Sequence, residues 1–214
     1  MRMFRKGNKM ESGSNPCSNI SPFDKKNLPQ IVDTVLPLWG APERDEAFNR
    51  IDVEFIVRNN IFENGLSMQI TNSAKPTELF AAVFAARKTD KNDASVWLSA
   101  HSKNISEKEQ FSLDLVKTYL QKMDEKTLSF MNDEDIKLSL FVSRKKGFGR
   151  PLLEEFTKTL RKKGFKTMYL WTDCTCSWKW YPEHGFELVA EDIYEPFKEN
   201  EKDFITYIYK KQIS

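Results

Sequence analysis

No apolar run in this chain reaches the eighteen or so residues that a membrane-crossing helix needs, so no membrane partner is expected. Cysteine is scarce: Cys17, Cys174 and Cys176 are the only three. That number makes no disulfide framework, and a reducing cytoplasm fits it best. Histidine is scarcer still, with His101 and His184 alone. Cys174-x-Cys176 with His184 falls short of the four ligands of structural zinc, and cysteines one residue apart on an extended segment face opposite ways, so no metal is expected. His101 stands isolated, as a surface or loop residue. Net charge is also nearly absent, with 33 Lys and Arg against 31 Asp and Glu, so no nucleic-acid partner is expected. Residues 1–10 are basic, but no apolar stretch follows them as it does in a secretory signal.

What is present is enough for a proper core. A chain of 214 residues suits one domain. Residues 1–20 are rich in Ser, Asn, Gly and Lys and read as a disordered tail, which leaves 21–214 as a single domain. Apolar spacing predicts helices over 24–38 and 43–58, with Pro29 in a first turn. Residues 66–71 and 79–86 read as strands, the second so continuously apolar that it belongs inside a sheet. The stretch 89–135 is longer than one hairpin needs and reads as an insertion carrying one helix over 107–122.

The most informative residues follow the apolar run Leu138-Ser139-Leu140-Phe141-Val142. They are Arg144-Lys145-Lys146-Gly147-Phe148-Gly149-Arg150-Pro151, and they open a helical segment that ends near Lys163. A strand, a basic glycine turn and a helix make an anion cradle: glycines let successive N–H groups point inward, and the helix adds its positive end. Phosphate is the natural guest. Gly149 is followed by Arg150-Pro151 and not by Lys-Ser/Thr, so the P-loop motif is missing. Only two glycines are present where the dinucleotide fingerprint needs three. From 144 to 166 nine Lys or Arg stand against two acids, Glu154 and Glu155.

The pattern Arg144-x-x-Gly147-x-Gly149 resembles the pyrophosphate loop of the GCN5-related N-acetyltransferases, which bind acetyl-coenzyme A. Downstream, residues 165–172 read as a strand, 177–183 as a short helix, 186–190 as a strand and 204–209 as the last strand. The family has the same order, and its aromatic-Tyr-x-x-x-Gly-Phe signature is matched by Trp180, Tyr181, Gly185 and Phe186. The likeness covers 136–210, about a third of the chain. It implies an α/β (α+β) fold: a mixed, mostly antiparallel central sheet flanked by helices, with a splayed central strand pair.

The resemblance further implies acetyl transfer from acetyl-coenzyme A directly to a primary amine of a small molecule or protein, by a monomer or homodimer. Phe141, Val142, Arg144, Lys145, Lys146, Gly147, Phe148, Gly149 and Arg150 would contact the cofactor. Pantetheine would pair with the splayed strand as an added strand does, with a backbone N–H near Phe141 and Val142 facing the thioester oxygen. Tyr181 matches the tyrosine that protonates the departing thiolate.

The chain also departs from the family pattern. Cys174 and Ser177 stand where Asn and Ala are usual, Pro182 follows Tyr181, and the loop before Gly147 is short. Ile136 occupies the position of a frequent catalytic glutamate, which leaves Glu134, Asp135, Asp173 or a water relay as the base. These departures motivate an alternative, a catalytically weak acyl-coenzyme A sensor of the same fold. A basic RNA-binding module is a third reading, disfavoured by the balanced charge.

Overall fold

The apolar run Leu79–Ala86 becomes a strand buried at every residue, which requires cover on both faces of the sheet. A computed structural model describes residues 18–214. Cys17 and most of the expected tail lie outside the described residues. In chain order the elements are β1 (Ser18–Pro22), α1 (Leu28–Trp39), α2 (Glu46–Asn59), β2 (Met68–Asn72), β3 (Leu79–Ala86), α3 (Ala94–His101), α4 (Glu107–Ser129), β4 (Asp135–Ser143), α5 (Gly149–Lys162), β5 (Thr167–Asp173), α6 (Trp180–Glu183), β6 (Glu187–Ile193) and β7 (Ile205–Gln212). The strands form one seven-stranded sheet ordered β1-β2-β3-β4-β5-β7-β6. Every neighbouring pair is antiparallel except β4 with β5.

Two elements were not expected from the sequence. Strand β1 begins in the stretch read as tail, overlapping it over residues 18–20, and pairs with β2 from Ser18 to Pro22. Helix α3 joins α4 in the stretch read as carrying a single helix, and His101 lies at its end with its ring stacked on Trp97. Nor does α4 sit apart from the core. Ser106 and Glu109 form a reciprocal capping box that starts it. Its Leu113, Tyr119, Leu120 and Met123 are all buried.

One face of the sheet is covered by α5, whose Leu152, Phe156 and Leu160 recur at helical spacing and are fully buried. Each is worth about 1.5–3 kcal/mol of apolar transfer. The other face is shared. Helices α1 and α2 cover β3 and β4 through Val35, Val53 and Val57. The β5–β7 half is covered by α4, with Phe48 and Phe55 of α2 joining that second cluster. Among the described residues, no helix is long and apolar enough to cross a membrane.

Candidate active site

Strands β4 and β5 are paired only at Asp135–Thr167, Ile136–Met168 and Lys137–Tyr169. Beyond Lys137 they part, although β4 keeps its pairing with β3 as far as Ser143. A register shift at Ser139 accompanies the fork, and the Ser139 Oγ donates to the carbonyl of Asn60 at 2.8 Å. The result is a V in mid-sheet that opens at the carboxyl ends of two parallel strands, where open α/β sheets place their ligands.

The backbone of β4 faces this V in alternation. Arg144 N–H donates to the Phe80 carbonyl at 2.8 Å, so the strand turns Arg144 and Val142 toward β3. Residues between them face the other way, which turns the N–H groups of Phe141 and Ser143 into the V. Val142 therefore contributes no outward N–H. Its side chain is buried with α1 and α2, and that of Phe141 packs on the α5 side.

The loop that follows is tightly built. Arg144 and Lys145 both donate their N–H to Phe80, at 2.8 and 3.2 Å. Ser143 Oγ donates to the Lys145 carbonyl at 3.0 Å. Gly147 has φ +95°, a conformation open to glycine and strained for other residues. A Cβ on Gly149 would meet the Phe141 ring at 3.1 Å and Ser143 at 3.2 Å, so the helix start needs glycine for close approach. Phe148 anchors the turn by packing on Phe80, centroids 4.7 Å apart. Among the described residues, the N–H groups of Lys146, Gly147, Gly149 and Arg150 find no partner. Four backbone donors at a helix start, with Pro151 next in the first turn, are what an anion requires. The chain thus fits a pyrophosphate through its backbone.

The basic side chains divide the work. Arg144 turns back to α1 and bonds the Gln30 side chain and the Leu79 carbonyl, so it docks the loop. Lys145 pairs with Glu78 at 2.6 Å and lies over the Phe80 ring. Arg150 pairs with Glu154 one turn along α5. Lys146 is exposed and has no ion pair among the described residues. Among the described residues, it is the one basic side chain of the loop that no other residue holds.

Tyr181 stands in the short helix after β5, which leaves the sheet at the same end as the loop after β4. Its ring packs on Trp180, Phe186 and Tyr209. The Gly185 turn fixes this register: Phe186 N–H and His184 N–H both return to the Tyr181 carbonyl, at 3.1 and 3.0 Å. Pro182 does no harm, because the first N–H groups of a helix have no internal partner to lose. The residue is half-buried, and its hydroxyl makes no hydrogen bond among the described residues. Burial pushes the phenol pKa well above the ordinary tyrosine value, with Cys176 and Tyr209 adding to the rise. The group stays protonated at any ordinary pH.

The acids expected near the site are engaged elsewhere. Asp135 accepts from Asn132 N–H at 2.9 Å, and Glu134 pairs with Lys166. Both lie at the closed end of the fork. Asp173 is at the open end, but it accepts from Tyr119 and from the backbone and hydroxyl of Thr175. It helps burial push the Cys176 thiol up to about 11. His184 stacks on Trp180 and bonds its carbonyl. Three features escaped sequence reasoning: the Gln30 dock for Arg144, the ion pair of Asp52 with Arg44, and Asp124, whose Oδ1 accepts from Lys137 and Trp171 where the β4–β5 ladder ends. Each rests on a contact between different segments of the fold, which the spacing of residues along the chain does not reveal.

No family model and no curated protein sequence matches this chain. Solved structures do. One is the ribosomal-protein-S18-alanine N-acetyltransferase of Escherichia coli, at 14% identity and TM-score 0.51, covering 92% of this chain and 95% of the other. An agmatine N-acetyltransferase gives 14% and 0.52, covering 91% and 99%. The C-terminal condensation domain of Ebony, solved with beta-alanyl-dopamine, gives 8% and 0.57, covering 92% and 100%. Identities this low speak for architecture, and the architecture agrees with the forked sheet and its glycine loop: this chain has the fold of the GCN5-related N-acetyltransferases.

Proposed function

We propose that the protein is an acetyl-coenzyme A-dependent N-acetyltransferase acting by direct transfer to a primary amine. The observation that carries this reading is the conjunction of the open fork with four partnerless N–H groups at its mouth. The loop N–H groups of Lys146, Gly147, Gly149 and Arg150 bind the pyrophosphate, with the Lys146 side chain adding charge. The outward edge of β4 receives the amide-bearing arm as a strand would. The N–H of Phe141 faces the thioester oxygen and stabilises the charge that develops there.

Acetyl-coenzyme A would supply an already activated thioester, so holding it in line with the amine provides much of the acceleration. Tyr181 donates to the departing sulfur. Its raised pKa and a hydroxyl without a hydrogen bond among the described residues support that role, because the proton is present at any ordinary pH. Solved structures of similar fold that carry N-acetyltransferase names support the reaction class.

Calorimetry with coenzyme A tests the reading. Binding at micromolar to low millimolar concentration is expected. No heat at millimolar coenzyme A, from protein that melts cooperatively, would overturn it.

A further inference from the structure

Across the fork from the loop lies a buried acid with an unused oxygen. Asp52 is on α2 and only 4% exposed. Arg44, in the turn before α2, donates Nη1 to Asp52 Oδ2 at 3.0 Å. The other oxygen, Oδ1, is buried and has no hydrogen-bond partner among the described residues. A buried carboxylate oxygen without a donor is costly, so a cationic group that donates to it is stabilised there.

The position of Asp52 follows from the helices. Asp45, the N-cap of α2, is near enough to Glu109 in the first turn of α4 for their charges to interact. At the other end Asn59 donates to Asp124 at 3.3 Å. The two helices therefore run side by side in the same direction. Val53 and Val57 of α2 pack over β3 and β4, whereas Phe48 and Phe55 join the cluster over β5 and β7. At 100° per residue Asp52 falls on the inward stripe between those two sets, above the seam where β4 and β5 part. Ile56 and Asn60 continue the stripe, and the Asn60 carbonyl already touches the fork at Ser139. Asp52 lies two turns further toward the start of α2. That start stands with the start of α4, whose Tyr119 reaches Asp173 at the open end of β5.

We infer that Asp52 is the acceptor-side acid: its Oδ1 receives the ammonium of a cationic primary amine that enters by the open end of the fork, and takes its first proton. This rests on the acetyltransferase reading above. The chemistry balances. An ammonium gives one proton to Asp52 and becomes a neutral amine. Its nitrogen forms a bond to the acetyl carbon, the carbon–sulfur bond breaks, and the sulfur leaves with the proton of Tyr181. The second proton lost by nitrogen restores Tyr181, and Asp52 returns its own to solvent, so one proton is released per turnover. Arg44 holds Oδ2 and so aims Oδ1. It is the charged group that bears on Asp52 among the described residues, partly offsetting the burial that pushes this carboxyl up to about 6. A carboxylate in that range remains ionised near neutral pH and is still a competent base.

The test compares the wild-type protein with Asp52→Asn near neutral pH, with acetyl-coenzyme A as donor. The acceptors are 2-phenylethylamine, agmatine and a peptide with N-terminal alanine, all protonated there, and hydroxylamine, which is already neutral. The expected result is a loss of about a hundredfold or more in kcat/KM for whichever protonated amine the wild type uses. Hydroxylamine should change less than about threefold, and coenzyme A affinity should not change. Asp52→Ser, with melting followed in bound coenzyme A, replaces the asparagine variant if that variant folds poorly. Equal losses for hydroxylamine and the amines mean a structural role and overturn the inference, as does an unaffected variant. So does a wild type that binds coenzyme A but acetylates none of the protonated amines. A protein that binds no coenzyme A fails at the earlier step, and the calorimetry separates the two failures.

Discussion

Lys137 of β4 and Trp171 of β5 donate to the same oxygen, Oδ1 of Asp124, at 2.6 and 2.7 Å. Lys137 is the last residue of β4 paired with β5, so this shared acceptor bridges the strands where their ladder ends. Lys137 is 2% exposed, which makes Asp124 the counter-charge of a buried ammonium. Asp124→Ala should cost about 3–5 kcal/mol, the usual penalty for stranding one member of a buried pair. Urea unfolding should show an earlier midpoint at an unchanged slope. A loss below about 1 kcal/mol would mean that water takes the place of the carboxylate.

Gly147 and Gly149 should fail for different reasons. Gly147→Asp places a negative side chain beside the partnerless N–H groups at φ +95°, so the rise in melting temperature with coenzyme A should vanish. Gly149→Ala meets the Phe141 ring at 3.1 Å and should distort the start of α5, lowering stability as well as affinity. Thermal shift with and without coenzyme A distinguishes the two patterns.

Of the basic residues, Lys146 should matter most. Lys146→Ala removes a cation with no ion pair among the described residues, whereas Lys145→Ala and Arg150→Ala remove cations already held by Glu78 and Glu154. Titrations of coenzyme A and dephospho-coenzyme A should show the largest loss for Lys146→Ala. Equal, small losses for all three would leave binding to the backbone alone.

Tyr181→Phe keeps the ring on Phe186 and Tyr209 and loses only a hydroxyl that makes no hydrogen bond among the described residues. Stability and coenzyme A affinity should stay near those of the wild type. Turnover should fall roughly ten- to ten-thousand-fold, the span for loss of one general acid. Full-speed turnover would leave water or coenzyme A to manage the proton.

Asp52 gives stability an unusual slope with pH. Its carboxyl has a pKa of about 6 in the folded protein against an ordinary value of 3.8. The folded state therefore binds a proton that the unfolded state has already released, and stability falls as pH rises from about 4 to about 6. The difference is on the order of 2–3 kcal/mol at higher pH, and it disappears below the unfolded value. Asp52→Asn should thus raise the melting temperature at pH 8 and change it little at pH 4. A variant equally destabilised at both would show that the carboxylate supports the fold.

The parts of this site that could be read from the sequence are those with local causes. A glycine turn between an apolar strand and an amphipathic helix announces itself, and Gly185-Phe186 sets the register of Tyr181 within six residues. Strand β3 was legible because burial on both faces leaves no polar alternation. The strand β1 reads Ser-Asn-Ile-Ser-Pro, an exposed edge with no apolar pattern to detect. Helix α3 is two turns long, too short for a periodicity to emerge. Asp52 and Gln30 stand on expected helices and Asp124 just past the end of one, with nothing in the local pattern to mark them. Their roles come from partners brought together by the sheet, and spacing along the chain carries no trace of that.

Most sheets keep their unpaired backbone at the margin, where any passing strand can add to it. This one also carries an unfinished edge in its middle, between β4 and β5, with α5 on one face and α2 and α4 on the other. A second sheet cannot slide into so narrow a slot. A single flexible chain can, provided that it enters lengthwise from the open end. The fork therefore keeps its hydrogen-bonding capacity for slender guests and withholds it from the contacts through which sheets aggregate.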